Sequence, residues 1–442
     1  MRARLGGMFF LLLVACAVAV PRTANGKLKD GDVLGPSNWT EAKDLLPQEI
    51  LEHYRNGEYV NQIADITLPG YRSIQLPPDF QQASRANRGR YELSEAGSII
   101  DRRSGRQPRH IVGLPFPDID PRDPQAGTKI VWNYFYTVWY DGNTHFLTEL
   151  EMLGLGGVER RLVTDVYTLM YDGAPEARGR PNPNNLLLQT MARVVSPADL
   201  NGTTSLTWRF RDPDKHDSLW TFVPGLRRAR QVSALNRSDG FLGSDICLDD
   251  GPFFDGKPED FVFRLLGRHD QLVLMDPFSI RGDADIMPAP GGGWRTLWKN
   301  VARIGADAPG WRGLPWAPVS AVLVRRPVWI VEALPRDPNY LYGRIVLRFD
   351  AETYHGSFSS KYDRAGTLLV SYQASTGAYY TGDAGRTYFP SGGIAVRTAE
   401  NFLYKRATVV LFPPRQREHP ADYRVPLAPD LFSMDALIWH GK

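Results

Sequence analysis

The chain has 442 residues, 43% hydrophobic and 23% charged, a composition typical of a globular protein and not of a disordered one. Its formal net charge of +3 is too small to indicate a nucleic-acid partner. The length accommodates one large or two ordinary domains, and either buries a substantial core. The 41 glycines, 34 prolines and 11% aromatic residues favour a mainly β chain with many turns.

The N-terminus has the features of an export signal. Arg2 and Arg4 precede an apolar run at 8–20 that is too short to span a bilayer but suits the apolar region of a secretory signal. The sequence LVAC, ending at Cys16, is similar to a bacterial lipobox, whose cysteine is lipidated, whereas the small residues at 17–19 suit ordinary cleavage. We expect residues 1–19 to be a signal peptide and leave both processing routes open.

Only one other cysteine exists, Cys247, and in neither route do the two form a disulfide. We interpret Cys247 as a small buried apolar residue and not as a nucleophile.

The remaining chain, 27–442, is expected to be a single domain that begins with a helical segment at 37–57. Ser37 suits a helix cap, Pro47 interrupts the apolar stripe, and Gly57 suits the end of the second helix.

Residues 129–140, KIVWNYFYTVWY, are predicted to form a strand that is buried on both faces. Period two would place Trp132, Tyr134 and Tyr136 on one face of this strand. Residues 161–172 are predicted as another alternating strand.

Residues 206–211 and 218–224 are predicted to form a hairpin, because a polar break separates two aromatic runs. Alternation places Trp208 and Phe210 on one face, opposite two arginines, while Trp220 and Phe222 share a face of the second run. The ring-lined side must be covered, either by the protein itself or by a ligand.

Four later strands, near 327–333, 343–349, 354–362 and 367–373, are spaced as in an antiparallel meander. The absence of crossover helices between them disfavours a βαβ fold. The proline-rich tail, 413–442, is expected to cross the surface.

No motif of a hydrolase, metalloprotease, nucleotide-binding loop or zinc site is present, so we predict no catalytic residue, no metal and no cofactor. The arginines at 227, 228 and 230 permit two interpretations. Arg227, Arg228 and Arg230 either bind lipid headgroups or an acidic partner, or they pair with the aspartates that follow in the chain.

Several stretches together resemble a bacterial family of unknown function, described as predicted outer-membrane lipoprotein-sorting proteins and related to LolA and LolB. The matching stretches are NW at 38–39, AKDLLP at 42–47, the loop at 113–124, KIVWN at 129–133, DPD at 212–214, VPGLRRAR at 223–230, RSD at 237–239, GSD at 243–245, RPVW at 326–329, VEA at 331–333 and KYD at 361–363.

The resemblance implies a mainly β (α+β) fold, in which a large curved antiparallel sheet forms a LolA/LolB-like open half-barrel covered by helices and loops. It implies a non-catalytic carrier for lipid, lipoprotein acyl chains or another hydrophobic molecule, located in the periplasm or anchored to the outer membrane. The ring-bearing faces at 132, 134, 136, 208, 210, 220 and 222 would line its cavity or form ordinary core. An inner-membrane exporter or an outer-membrane protein is the expected partner. The alternative is an accessory protein of an export system with a self-packed core.

Overall fold

The computed structural model describes residues 28–441 except 73, 234–236, 282–283, 299–302, 377–379, 382–395 and 412–420. The signal segment 1–19 with Cys16, and part of the tail, therefore lie outside the described residues. The described part is mostly β, with a few helices.

The helices are α1 Gln48–Arg55, α2 Pro78–Ala86, α3 Ala126–Trp139, α4 Pro277–Arg281 and α5 Met434–His440. The strands are β1 Val33–Leu34, β2 Asn61–Ala64, β3 Tyr91–Leu93, β4 Ile99–Asp101, β5 Thr144–Gly154, β6 Gly157–Met170, β7 Leu186–Ser196, β8 Thr204–Phe210, β9 Ser218–Val223, β10 Arg228–Val232, β11 Phe261–Met275, β12 Ala284–Pro288, β13 Trp294–Trp298, β14 Val322–Pro335, β15 Arg344–Asp350, β16 Gly356–Tyr362, β17 Leu368–Ser375, β18 Tyr380–Thr381, β19 Val396–Asn401, β20 Arg406–Leu411 and β21 Asp422–Tyr423.

One large sheet dominates the molecule. Its main run is antiparallel throughout, in the order β10-β9-β8-β7-β6-β5-β20-β19-β17-β16-β15-β14-β11. Two parallel pairings, β14 with β2 and β12 with β18, make the whole sheet mixed. Among the described residues β10 and β11 do not pair with each other, so the sheet stays open. The expected mainly β fold with a large open sheet is confirmed, as are the hairpin (β8 and β9) and the later strands.

The prediction of a strand at 129–140 is wrong, because this segment is the helix α3. Of the 14 residues of α3, 11 are buried, on all sides of the helix. A segment that is apolar on both faces of a strand is also apolar all round a helix, so period alone does not separate the two, and a length of 14 favours the helix. Gly127 lets α3 approach β11 closely, since a Cβ at this position would lie 3.0 Å from the backbone of Arg264.

The sheet is covered on both faces. Neighbouring residues of β20 point to opposite faces of the sheet. Val409 packs with the N-terminal segment that includes α1, and Val410 packs with the core around α3. The core around α3 draws side chains from β6 and β7 as well as from β14 and β15, so both halves of the sheet contribute to it.

The C-terminal segment folds back across the outer face of β8 and β9. Phe432 and Leu437 are fully buried there. The hydroxyl of Ser433 accepts a hydrogen bond of 3.1 Å from the backbone N–H of Ala436 and so caps α5. Within the described residues, the tail therefore supplies the cover for one side of this hairpin.

Candidate functional site

A cavity of about 340 Å³ lies between the C-terminal half of α3 and the inner face of β5–β8, and most of its lining is apolar. Small-molecule sites in proteins span roughly 300–1,000 Å³. At roughly 30 Å³ for each water-sized group, the space corresponds to on the order of ten such groups. It is large enough for a short apolar chain or a small ring system.

Aromatic side chains form the helix wall of the cavity. Tyr134, Phe135 and Trp139 of α3 line it together with Phe254. The ring centroids of Phe135 and Trp139 are 5.3 Å apart, and those of Phe135 and Phe254 are 6.3 Å apart. The Tyr134 hydroxyl accepts a 3.1 Å hydrogen bond from the Phe254 N–H. These mutual contacts hold the wall in place without a ligand.

A row of threonines forms part of the sheet wall. Thr144 on β5 lies opposite Thr168 on β6, Thr168 lies opposite Thr190 on β7, and Thr190 lies opposite Thr207 on β8. All four side chains line the cavity and are half-buried. Directly opposed positions on neighbouring strands place side chains side by side, so the four form one continuous row.

A second row on the same face ends in a buried charge. Met170 lies opposite Leu188, and Leu188 lies opposite Arg209, which is 1% exposed. The Arg209 Nε and Nη2 donate to Asp217 Oδ2 at 3.0 and 2.9 Å, and Nη1 donates to Asp255 Oδ1 at 2.7 Å. The guanidinium is thus saturated by carboxylates, as a buried charge requires.

Arg237 joins the same cluster. Its Nη2 donates to Asp255 Oδ2 at 2.9 Å, and its Nε donates to Asp249. Burial alone would raise the pKa of Asp217, but Arg209 and Arg237 hold this pKa below its ordinary value. At Asp255 burial prevails over the same two arginines and raises the pKa.

Arg397 on β19 also lines the cavity. Its Nη1 donates to the Gly251 carbonyl, while its buried Nε has no hydrogen-bond partner in the described part of the chain. No carboxylate of the described residues forms an ion pair with Arg397. In the described ranges, no group of three or more His, Cys, Asp or Glu side chains is placed to hold a metal ion.

Of the three predicted rings on α3, the structure places only Tyr134 at the cavity. Trp132 is buried beside it and donates a 2.8 Å hydrogen bond from Nε1 to the Gly97 carbonyl. Tyr136 is also buried, and its hydroxyl donates to Asp172 Oδ2 at 3.0 Å. Trp132 and Tyr136 therefore belong to the core around the helix.

The rings of the hairpin face away from the cavity. They pack under the C-terminal segment, in a cluster with Phe432 and Leu437. Trp208 Nε1 donates to the Phe432 carbonyl at 3.1 Å, and the Trp208 and Trp220 ring centroids are 5.5 Å apart. The face that lines the cavity is the one that carries Arg209. The four rings placed in this way are Trp208, Phe210, Trp220 and Phe222.

The exposed arginines lie at the end of the sheet. Arg227 follows β9, and Arg228 and Arg230 lie on β10; all three are exposed. None of them forms an ion pair with another described residue. Arg237, which comes next in the chain, is the one that pairs with Asp249.

Cys247 is buried, with its Sγ 3.9 Å from Lys361 Nζ, and burial raises the pKa of its thiol.

Sequence reasoning missed the threonine row and the inward orientation of Arg209. The threonines do recur at an even spacing, at 144 and 148 in β5 and at 164 and 168 in β6, which places each pair on one face of its strand. That pattern was the available signal, but the alignment of four strands into one row depends on their register, which the sequence does not state.

Comparison with known proteins identifies a family. The model of the family described as "Protein of unknown function (DUF1329)" matches residues 35–287, and this match confirms the family resemblance seen in the sequence. No curated protein matches the chain. None of the described helices is long and apolar enough to cross a membrane.

Three solved structures are similar to this chain. A domain from Vibrio parahaemolyticus, named as a candidate outer-membrane lipoprotein-sorting protein, has 15% identity and a TM-score of 0.46 over 72% of this chain and 100% of its own. A DUF1329 family protein from Desulfovibrio piger has 15% identity and a TM-score of 0.43 over 69% and 97%. A LolA superfamily protein from Nitrosomonas europaea has 12% identity and a TM-score of 0.40 over 70% and 98%.

Proposed function

We propose that this chain, which belongs to the DUF1329 family of proteins of unknown function, is a non-catalytic carrier that binds a hydrophobic molecule in the bacterial cell envelope. The cavity between α3 and β5–β8 is the observation that supports this proposal. Burial of apolar surface stabilises a complex by about 0.8 kcal/mol per methylene. A cavity of this size therefore retains a short apolar chain without any covalent step.

The construction of the cavity supports binding over catalysis. Arg209 and Arg237 line the cavity, and both are held by Asp217, Asp249 and Asp255. An arginine stays protonated in a protein, and with its donors occupied by carboxylates it is not placed to act as a general acid or base. The two arginines hold the polar corner of the cavity in shape.

We assign the contact with a membrane or an envelope partner to the exposed arginines. Arg227, Arg228 and Arg230 present guanidinium groups that suit phosphate headgroups or carboxylates. Leu226, which precedes Arg227 in the chain and is 56% exposed, adds apolar surface beside them. An inner-membrane exporter or an outer-membrane protein would supply or receive the cargo.

The signal at 1–19 and the cysteine at 16 support export, with either cleavage or lipid attachment at the outer membrane. This part of the proposal is tested separately, by mass spectrometry of the mature N-terminus of the exported protein.

The carrier function is tested on protein purified from the periplasm of a bacterial host. Native mass spectrometry should show a bound lipid-sized adduct, and delipidated protein should take up a fluorescent fatty acid. A Val166→Trp variant, which places an indole in the cavity, should lose both signals and still unfold cooperatively. Absence of adduct and of uptake in the unaltered protein would refute the carrier.

A second candidate is an accessory protein of an export system. The observation that favours it is the self-packing of the predicted ring faces: Trp208 and Trp220 are covered by the C-terminal segment. It predicts a membrane protein that co-purifies with the chain and is released by Arg228→Glu, with no bound lipid.

A further inference from the structure

The threonine row gives the cavity wall a hydrogen-bonding line. Thr144, Thr168, Thr190 and Thr207 occupy neighbouring positions on four strands. Adjacent strands lie roughly 4.8 Å apart, so the row extends over roughly 14 Å. Within the described residues, none of the four hydroxyls has a hydrogen-bond partner in the protein. Each therefore offers a donor and acceptor to whatever fills the cavity.

A wall for a plain hydrocarbon would not be built in this way. Valine has nearly the same shape as threonine and is at least as favourable in a strand. A hydrocarbon lying on the row would displace water from the hydroxyls and leave them unpaired, which weakens binding. The aromatic wall of α3, opposite the row, carries one hydroxyl, that of Tyr134, which already accepts from the Phe254 N–H, and one indole N–H, that of Trp139. The two walls therefore suit the two sides of an amphiphile.

The charges that line the cavity are largely paired within the protein. Three arginines, Arg209, Arg237 and Arg397, line it together with Asp141 and Asp255. The first two arginines already bind carboxylates at 2.7–3.0 Å. A fatty acid carboxylate would therefore find one lining arginine, Arg397, without a carboxylate partner among the described residues, whereas neutral oxygens would find the whole threonine row.

We propose that the cavity binds an uncharged amphiphile whose hydroxyl, ester or ether oxygens lie along the threonine row, with its apolar part against the rings of α3. This inference rests on the proposed carrier function and names the class of its cargo. The oxygens of such a molecule pair with the threonine hydroxyls, and its neutral head needs no charged partner.

The test uses delipidated full-length mature protein and three probes. N-phenyl-1-naphthylamine is an apolar fluorescent reporter, and monododecanoylglycerol and dodecanoate compete with it. The neutral glyceride should displace the reporter at a concentration at least roughly tenfold lower than dodecanoate. Each lost hydrogen bond changes affinity by roughly two- to tenfold.

The matched variants change only the row. Thr168→Val with Thr190→Val should weaken glyceride binding, relative to binding of the reporter, by roughly tenfold or more. Thr168→Ser with Thr190→Ser keeps the hydroxyls and should keep the preference. Thr221→Val on β9, outside the cavity lining, is the control and should behave as the unaltered protein.

The outcomes separate the two proposals. If no probe binds, the carrier function and this inference both fail. If the reporter binds but dodecanoate competes as well as the glyceride, or the valine variant keeps the preference, the inference alone is overturned. The inference is supported if the valine variant loses the preference for the glyceride over dodecanoate and the serine variant keeps it.

Discussion

Replacement of Trp208 by alanine distinguishes a ring that lines a binding site from a ring that forms core. Trp208 is half-buried, contacts the Trp220 ring at 5.5 Å and donates to the Phe432 carbonyl at 3.1 Å. Buried Trp→Ala changes cost about 3–5 kcal/mol, and partial exposure places Trp208 at about 3 kcal/mol. The hydrogen bond adds little, since Gln189 Nε2 also donates to the Phe432 carbonyl, at 3.3 Å.

The assay has two parts. Urea unfolding followed by circular dichroism gives the free energy of unfolding, and displacement of an apolar fluorescent probe gives the affinity of the cavity. We expect Trp208→Ala to lose about 3 kcal/mol of stability and to bind the probe as the unaltered protein does. The control is Trp439→Ala, because Trp439 is 72% exposed and its loss should change stability by less than about 0.5 kcal/mol.

The opposite result would refute the packing argument. If Trp208→Ala keeps its stability within about 0.5 kcal/mol while the probe affinity falls by an order of magnitude or more, the hairpin rings line the binding site. The cavity beside α3 would then not be the main one.

Three further predictions concern buried polar groups. Burial lowers the pKa of His355 from 6.5 to about 4. The unfolded chain therefore binds this proton more readily than the folded protein, so the free energy of unfolding is highest above pH 6.5 and falls as the pH falls. Between pH 7 and 4 the protein should lose about 3 kcal/mol that His355→Gln does not lose, and equal losses in urea unfolding would contradict this. The Cys247 thiol, buried and of raised pKa, should react with iodoacetamide at least ~10-fold more slowly in native than in unfolded protein, and rapid native labelling by mass spectrometry would disprove it. Arg209→Met leaves Asp217 buried without its main partner and should destabilise the protein by about 3–5 kcal/mol in thermal or urea unfolding. The control Arg230→Met, at an exposed position, should change stability by less than about 0.5 kcal/mol. Equal effects of the two substitutions would show that the buried ion pair contributes nothing to stability.

The sequence by itself determined which side chains share a face. In β8 the alternation of Trp208 and Phe210 with Arg209 follows from the geometry of any strand, so the hairpin and its two unlike faces were predictable. The spacing of the later strands likewise predicted the antiparallel meander that β14–β17 form. These features depend on residues near each other in the chain.

Only the tertiary structure decided which segment of the chain packs against each face. The ring face of the hairpin is covered by Phe432 and Leu437, more than 200 positions along the chain from Trp208, and no local pattern carries that information. The helix α3 shows the same limit, because it carries buried residues on all its sides and their period is ambiguous. The threonine row required the register of four strands, which long-range pairing sets. Local periodicity thus specified the two unlike faces of the hairpin, and packing between distant segments determined which of these faces lines a cavity.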